Sequence, residues 1–233
     1  PANVFPIAYK TVYFCMLYRS MFKERMHAMT AMANNCDFSP MKKIIKEDIG
    51  LMMAELGRLA DTIDEKHECL LGDFEQIKKS FMRIESSAAT FYLNCYLSPF
   101  IERYTDLSLT IQTLSDRRHG ALIAVERSDS LIPHLQPGIP VGAPITHALL
   151  ESIFYPGSPL HDGAVLIRSN QIVSARHILP LTDNQNNDRI TGTRHRAAVG
   201  LTERCDAIVL VVSEETGKAS FASNGQLYPV ITP

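Results

Sequence analysis

The sequence predicts an α/β protein, α+β in the wider sense, with a helical hairpin before a mixed β-sheet flanked by helices. Apolar residues recur at spacings of three and four over residues 45–91, which is the period of a helix. Short apolar and β-branched runs bounded by turn residues follow residue 118. Some of these runs are joined by tight turns and others by helical segments, so antiparallel and parallel pairs share one sheet.

Two amphipathic helices are expected in a helical region at 41–118, which we interpret as an oligomerisation and regulatory segment. The first carries its apolar seam over 45–63 and the second over 74–91, with a short link around 69–73. Helices joined in this way form an antiparallel hairpin. Because two helices alone bury little surface, one side of the hairpin should contact the main domain or another subunit.

The hairpin has a boundary on each side. Ser98-Pro99 ends it, and a third helix is predicted over about 100–114. Residues 1–40 lack steady periodicity, whereas Met41 opens the first periodic segment in the manner of a natural translation start. We therefore set 1–40 apart as an N-terminal extension and rest no function on it.

Residues 119–233 are predicted to form the main domain. Its elements are expected as a strand at 121–125, a helix at 146–154 with Pro144 in its first turn, strands at 163–168 and 171–178, a helix at 195–203, a strand at 208–213 and two further strands. The turn pairs are Ser169-Asn170, Thr216-Gly217 and Asn224-Gly225. This order, β-α-β-β-α-β-β-β, combines hairpins with helical crossovers.

Composition excludes several classes of protein. The chain has 233 residues and a net charge of −2, so it lacks the excess of basic residues that is typical of proteins that bind nucleic acid. Its five cysteines are scattered without a CxxC pair, which argues against a cysteine zinc site and is typical of a reducing cytosol. No run of eighteen uncharged apolar residues exists, so no clear membrane span is predicted, and we expect a cytoplasmic location.

One candidate site follows the turn at residues 155–159. His161 and Asp162 supply an imidazole and a carboxylate just before a predicted strand. Gly163 and Ala164 carry almost no side chain, so a ligand can approach the backbone there. An Asp-Gly pair alone is more often an ordinary structural turn.

A second candidate site lies at the start of the helix near residue 195. Thr193 is the predicted N-cap, and Arg194, His195 and Arg196 follow it. Free backbone N–H groups, the helix dipole and paired guanidinium groups all favour an anion, and a polyphosphate best of all. By spacing alone, Arg-His-Arg at a helix start is more often a solvated patch. A third group, Ser213, Glu214 and Glu215, ends the most β-branched strand.

Taken together, three segments resemble a known family. HDGAV, GTRHRAAVGLTE and VSEETG occur here in the order and at the separations of the diadenylate cyclase (DAC) domain. The resemblance runs from about Gly120 to Tyr228. The preceding hairpin is similar to the N-terminal region of the short, soluble, sporulation-associated cyclases of bacilli.

The resemblance implies an enzyme that condenses two ATP molecules into cyclic di-AMP, the second messenger, and two pyrophosphates. Each domain would hold one ATP, so two domains must meet face to face in a homo-oligomer. Asp162 would act at the ribose 3′-hydroxyl, and Thr193, Arg194, His195 and Arg196 would cradle the phosphates. The remaining implied ligand residues are Gly163 and Ala164 at the nucleoside, Ser213 at a phosphate, and Leu179 among the apolar side chains around adenine.

A divalent cation, Mn²⁺ or Mg²⁺, is expected with ATP. His161 with Glu214 or Glu215 would hold it, and an imidazole among the ligands favours Mn²⁺. The alternative function is a non-catalytic module that binds ATP or cyclic di-AMP as a sensor, against which the intact Asp162 and both arginines argue. We also expect the N-terminal helices to control assembly and activity.

Overall fold

The structure is a computed structural model that describes residues 39–62, 70–183 and 192–230. The helices are α1 (Ser39–Thr62), α2 (Leu71–Leu97), α3 (Tyr104–Asp116), α4 (His147–Phe154) and α5 (Thr193–Thr202), with a 3-10 turn at Ile132–His134. The strands are β1 (Ala121–Glu126), β2 (Ile139–Pro144), β3 (Ala164–Arg168), β4 (Gln171–His177), β5 (Ala207–Val212), β6 (Ala219–Ser223) and β7 (Gln226–Pro229). The proposed extension at 1–40 lies outside these residues except for its last two, and so does Ile63 of the first seam.

Seven strands form one mixed sheet in the order β2-β4-β3-β1-β5-β6-β7. β1 and β3 are parallel, because α4 lies between them in the chain and provides the crossover. The other neighbouring strands are antiparallel. The predicted fold class, a mixed sheet flanked by helices and preceded by a helical hairpin, is confirmed.

The central strands are covered on both faces. Leu122, Ala124, Val209 and Val211 pack beneath α5 in one buried cluster. Because side chains alternate along a strand, the residues between them face the opposite side, where Leu210 lies among side chains of α2 and α3. Nearly every residue of β1, β3 and β5 is buried, which explains why these strands read as continuous apolar runs.

Strand β2 was missed in the sequence because its segment contains two prolines. Proline cannot donate to a strand ladder and is therefore confined to sheet edges, which is where β2 lies. Pro144 is the last residue of β2. The prediction that it lies in the first turn of the following helix is therefore wrong. The cap of α4 is Thr146, whose Oγ1 accepts a hydrogen bond from the Leu149 N–H at 3.3 Å.

The N-terminal helices form the expected hairpin. Leu59 and Ile84 are buried, and the Ser80 hydroxyl donates to the Glu55 carboxylate at 3.4 Å between the two helices. Two seam residues of α2, Phe74 and Phe81, are each 51% exposed, so the hairpin leaves part of its apolar seam uncovered. Within the part of the chain that the structure describes, no helix has the length and apolar character needed to cross a membrane.

One cation ties the hairpin to the sheet at the far end of β1. The Arg127 guanidinium lies 5.7 Å from the ring centre of Tyr96 and 5.1 Å from that of Phe100. It also pairs with Asp206 at 2.9 Å. Because the Arg127 side chain is only 5% exposed, α2 and the loop before β5 are packed around one buried charge.

Candidate functional site

Three neighbouring central strands bring distant parts of the sequence to one edge of the sheet. By this edge we mean the side where the strands start or end, and not an outermost strand. Ile123 of β1 lies opposite Val165 of β3 and Leu210 of β5. Following these registers to the strand ends places three residues at one level, just beyond the strands. They are Gly120, Asp162 and Ser213. Because adjacent strands lie about 4.8 Å apart, the backbones of the outer two are about 10 Å from each other.

The first turn of α5 reaches the same edge. The Arg194 guanidinium donates to the Glu214 carboxylate at 2.7 Å. Both side chains lie against Gly120, where a Cβ atom would be 2.6 Å from Arg194 Nη1 and 2.9 Å from Glu214 Oε2. We call the resulting group the strand-end site: Gly120, His161, Asp162, Ser213, Glu214 and the first turn of α5.

The start of α5 leaves backbone donors free of helical partners. The first hydrogen bond within the helix runs from the Arg196 N–H to the Gly192 carbonyl at 3.2 Å. The N–H groups of Thr193 and Arg194 therefore have no partner within the helix. Thr193 is the first helical residue and not the N-cap that we predicted; Gly192 takes the cap position, with φ +84° and no side-chain cap. These donors and the positive end of the helix dipole suit an anion.

Arg196 differs from Arg194 in what it contacts. Its Nη2 donates to the Thr182 carbonyl at 3.3 Å, and the Thr182 N–H donates back to the Arg196 carbonyl at 3.1 Å. The Thr182 hydroxyl in turn donates to Glu203, the C-cap residue of α5, at 2.7 Å. Arg196 therefore fastens the segment that follows β4 to α5, whereas Arg194 lies at the strand ends.

His161 is oriented by the turn before it. Its Nδ1 lies 2.5 Å from the Ser158 carbonyl oxygen, and its backbone N–H donates to the same oxygen at 3.2 Å. A carbonyl only accepts, so Nδ1 carries the proton and Nε2 of a neutral ring presents a lone pair. Asp162 beside it is exposed and forms no hydrogen bond or ion pair with another described residue, which leaves both carboxylate oxygens available.

Gly163 and Ala164 have a packing role that the sequence did not reveal. Gly163 has φ +126°, and a Cβ there would lie 2.8 Å from the Cα of Arg176. Ala164 is 1% exposed within β3. The absence of a side chain at Gly163 is thus required by the close approach of β4, independently of any ligand.

The turn after β5 holds Ser213 and Glu214 in place. The Ser213 N–H donates to the Lys218 carbonyl at 3.0 Å, and the Ser213 carbonyl accepts from the Gly217 N–H at 2.9 Å. Glu214 contacts Arg194, whereas Glu215 is exposed and has no partner among the described residues. The two neighbouring glutamates therefore have different surroundings, which the sequence does not predict.

We call three residues of the buried cluster beneath α5 the apolar floor: Leu122, Leu179 and Ala197. Leu122 and Leu179 are each 4% exposed and Ala197 is 6% exposed, whereas most of their cluster is fully buried. Among the buried members of the cluster, these three keep the largest exposed fractions. Tyr155 packs edge-on against His119 with ring centres 5.8 Å apart.

Two residues of this region are not predicted from the sequence. Gly120 precedes a buried strand, and the only signal for it was a glycine at a strand entrance within the resemblance. His119 lies one residue further out, at the level of His161 and Glu214 by the strand registers. Among the described residues, no three His, Cys, Asp or Glu side chains are arranged to hold a metal ion by themselves.

Two known families match successive parts of the chain. A family described as "DisA bacterial checkpoint controller nucleotide-binding" (DAC) matches residues 108–227. A second family, described as "Diadenylate cyclase CdaS, N-terminal", matches residues 32–100. The first match covers most of α3 and the sheet through β6 and the start of β7, and the second covers the hairpin.

Curated relatives are similar over most of their length. The chain is 50% identical over 185 residues to the diadenylate cyclase CdaS of Bacillus thuringiensis, covering 79% of this chain and 92% of the relative. It is 44% identical to the cyclic di-AMP synthase CdaS of Bacillus subtilis, covering 78% and 87%.

Two solved structures share the fold. One is described as a hypothetical membrane spanning protein from Bacillus cereus, with 46% identity and a TM-score of 0.72 over 89% of this chain and 98% of that one. The other is a double mutant of DacA from Staphylococcus aureus, with 41% identity and a TM-score of 0.52 over 55% and 85%.

Proposed function

Because this chain belongs to the diadenylate cyclase family, which makes cyclic di-AMP from two ATP molecules, we propose that the strand-end site is where the reaction takes place. One observation carries this proposal: the registers of β3, β1 and β5, with the Arg194–Glu214 pair, bring three separate sequence segments to one edge. The segments supply a carboxylate, a cation with free backbone donors, and a second carboxylate. Nucleotidyl transfer needs those three kinds of group.

Asp162 is the proposed group at the nucleophile. Joining two ATP molecules requires the 3′-hydroxyl of one to attack the α-phosphate of the other and expel pyrophosphate. An exposed carboxylate without a protein partner is suited to accept the hydroxyl hydrogen bond, orient the oxygen and receive its proton. Its position at the edge of the sheet, rather than within a pocket, lets it face a nucleotide held by another molecule.

The first turn of α5 is the proposed phosphate site. The N–H groups of Thr193 and Arg194, which have no partner within the helix, lie there together with the Arg194 guanidinium. As negative charge develops on the leaving pyrophosphate, these fixed donors stabilise it without rearranging. Ser213 is placed to add a hydroxyl contact. Arg196 supports the site from below, through its bonds to Thr182.

The nucleoside would lie along the apolar floor next to the phosphates. Leu179, Leu122 and Ala197 offer the exposed edge of the cluster beneath α5. Gly163 and Ala164 would border the ribose through backbone atoms, since neither projects a side chain into the open edge.

A divalent cation fits the residues present. His161 offers a neutral nitrogen oriented by the Ser158 carbonyl, and Glu214 lies at the same level of the sheet edge. Two protein ligands are enough, because Mg²⁺ and Mn²⁺ bound with nucleotides take their other ligands from phosphates and water. Bound there, such a cation would neutralise phosphate charge and polarise the phosphorus for attack. We assign Glu214 rather than Glu215 to this role; Arg194 would then be released from Glu214 to the phosphates.

Two copies of the domain must cooperate. Cyclic di-AMP contains two 3′–5′ linkages, and one edge-facing site can supply only one ATP and one Asp162. A face-to-face pair of identical sites provides both linkages by symmetry. We therefore propose a homo-oligomer, with nucleotide and not nucleic acid as the ligand. We place it in the cytoplasm, where ATP is available.

The hairpin is the proposed second assembly surface. Several apolar side chains of the hairpin remain exposed: Leu51, Met53, Leu71, Phe74 and Phe81. A surface of this kind is suited to the same surface of another copy. An assembly built through the hairpins also sets which strand-end sites can meet, so the helices would control the reaction rate.

The test of the proposed function is direct product analysis. The full chain is incubated with ATP and Mn²⁺ or Mg²⁺, and the products are identified by mass spectrometry. Asp162→Asn is the matched variant, because it keeps the shape of the side chain and removes its charge. We expect cyclic di-AMP from the unaltered chain only, with ATP affinity within a few-fold in both. Product formation by Asp162→Asn at the normal rate would remove Asp162 from the mechanism; ATP binding without turnover in both would favour a sensor.

A further inference from the structure

Arg118 occupies a backbone position at which helices usually place glycine. Its N–H donates to the Ser115 carbonyl at 3.1 Å, and the His119 N–H donates to the Leu114 carbonyl at 2.9 Å. These two bonds form a Schellman motif at the end of α3. Arg118 has φ +54°, a left-handed conformation that is unfavourable for a residue with a Cβ. An arginine kept at such a position calls for a role of its side chain.

The stem of Arg118 lies against the turn that carries two residues of the strand-end site. A Cβ on Gly217 would be 3.3 Å from Arg118 Cγ and 2.7 Å from the Ser115 carbonyl oxygen. The Ser115 hydroxyl also donates to the Gly217 carbonyl. The end of α3 and the turn after β5 are thus packed together, which fixes where the Arg118 side chain leaves the surface.

The Arg118 guanidinium has no charged partner in the part of the chain that the structure describes. The guanidinium of the preceding Arg117 pairs with Glu151, and that of Arg194 pairs with Glu214. Arg118 is exposed and forms no ion pair or side-chain hydrogen bond with another described residue. In the chain it lies two residues before Gly120, between the end of α3 and the start of β1.

We propose that Arg118 is a further substrate-binding residue, which binds the phosphate chain of ATP at the strand-end site. This inference rests on the proposed function, since it takes the strand-end site as the nucleotide site. A guanidinium that is always charged, has no partner among the described residues and is held at a conformational cost beside the Ser213–Gly217 turn has the chemistry of a phosphate ligand.

Arg118→Gly gives a test in which stability and binding change in opposite directions. Glycine suits the left-handed position, so the melting temperature should stay the same or rise by up to about 4 °C. The affinity for ATP should fall about tenfold, the size expected for one charged hydrogen bond. The affinity for adenosine, which has the same base and sugar and no phosphate, should not change. The inhibition constant for inorganic pyrophosphate should rise by a factor similar to that for ATP.

Two further variants separate this role from general effects. Arg118→Lys keeps the charge and should keep ATP affinity within about threefold. Arg204→Ala removes an equal charge near the start of β5, at the opposite edge of the sheet, and should leave ATP affinity unchanged. Unchanged ATP affinity in Arg118→Gly, or equal losses for ATP and adenosine, would overturn the inference. If the unaltered chain made no cyclic di-AMP, the proposed function would fail, and the comparison of ATP with adenosine would still decide the role of Arg118.

Discussion

Gly120→Ala should separate the activity of the strand-end site from the stability of the fold. An added Cβ would lie 2.6 Å from Arg194 Nη1, 2.8 Å from its Cζ and 2.9 Å from Glu214 Oε2. Ordinary contact begins near 3.4 Å, so the guanidinium must withdraw by about 0.8 Å. The clashing atoms are the far ends of two flexible side chains, and the backbone of Gly120 is not left-handed. The fold can therefore accept the methyl group.

The expected magnitude follows from that displacement. A misplacement of about 1 Å in a catalytic constellation costs up to about a hundredfold in rate. We expect kcat/KM for cyclic di-AMP formation to fall by about 10- to 100-fold, which is about 1.4–2.7 kcal/mol of transition-state stabilisation. The melting temperature should change by less than about 2 °C, because no backbone atom is displaced.

Two glycines provide matched controls for this substitution. A Cβ on Gly200 would meet backbone atoms, at 2.3 Å from the Pro180 oxygen and 2.4 Å from the Leu181 carbonyl carbon, so Gly200→Ala should destabilise the fold by about 1–3 kcal/mol or more. Gly50 in α1 has nothing within 4 Å, and Gly50→Ala should be neutral or stabilising by about 0.5–1 kcal/mol. The assay is steady-state product formation with thermal unfolding of each variant. A Gly120→Ala protein with normal kcat/KM would refute the placement of Arg194 and Glu214 in the site.

Two other predictions concern stability and assembly. Burial alone would raise the pKa of Glu126, but hydrogen bonds from Arg168 and the Leu131 N–H outweigh it and lower that pKa. The stabilising effect of the Glu126 carboxylate is therefore complete above about pH 4.5 and is lost as the pH falls through the lowered pKa. Glu126→Gln should weaken the pH dependence of the unfolding free energy between about pH 5 and 3. An unchanged pH profile would contradict this. Phe74→Glu with Phe81→Glu should reduce the mass measured by light scattering and leave the melting temperature within about 2 °C; an unchanged mass would exclude that face from assembly.

Short sequence patterns predict much of the fold. The buried strands β1, β3 and β5 appear as apolar runs because both of their faces are covered by helices. The Asn224-Gly225 turn was also correctly predicted, and both residues have positive φ as a tight hairpin requires. Such features depend on a few consecutive residues, so sequence patterns capture them.

Features that depend on residues far apart in the chain could not be predicted from the sequence. Strand β2 exists because β4 offers it a free edge, despite its two prolines. Gly163 is required by the backbone of β4 and not by a ligand. Similarly, Arg196 bonds to Thr182 while Arg194 reaches Glu214, although the two arginines are only two residues apart. A helix turns by about 100° per residue, so the partner of each depends on how α5 sits on the sheet.

The sequence by itself determined which chemical groups this protein possesses: a His-Asp pair, an Arg-His-Arg helix start and a Ser-Glu-Glu turn, in the order of the diadenylate cyclases. Only the tertiary structure decided that they share one edge, since Gly120, Asp162 and Ser213 are separated by more than forty residues each and meet through strand register. It also decided that Glu214 and not its neighbour contacts Arg194, and that Arg118 takes a position favoured by glycine. Local preferences act over a few residues, whereas a site is formed by long-range pairing, which only the packed sheet specifies.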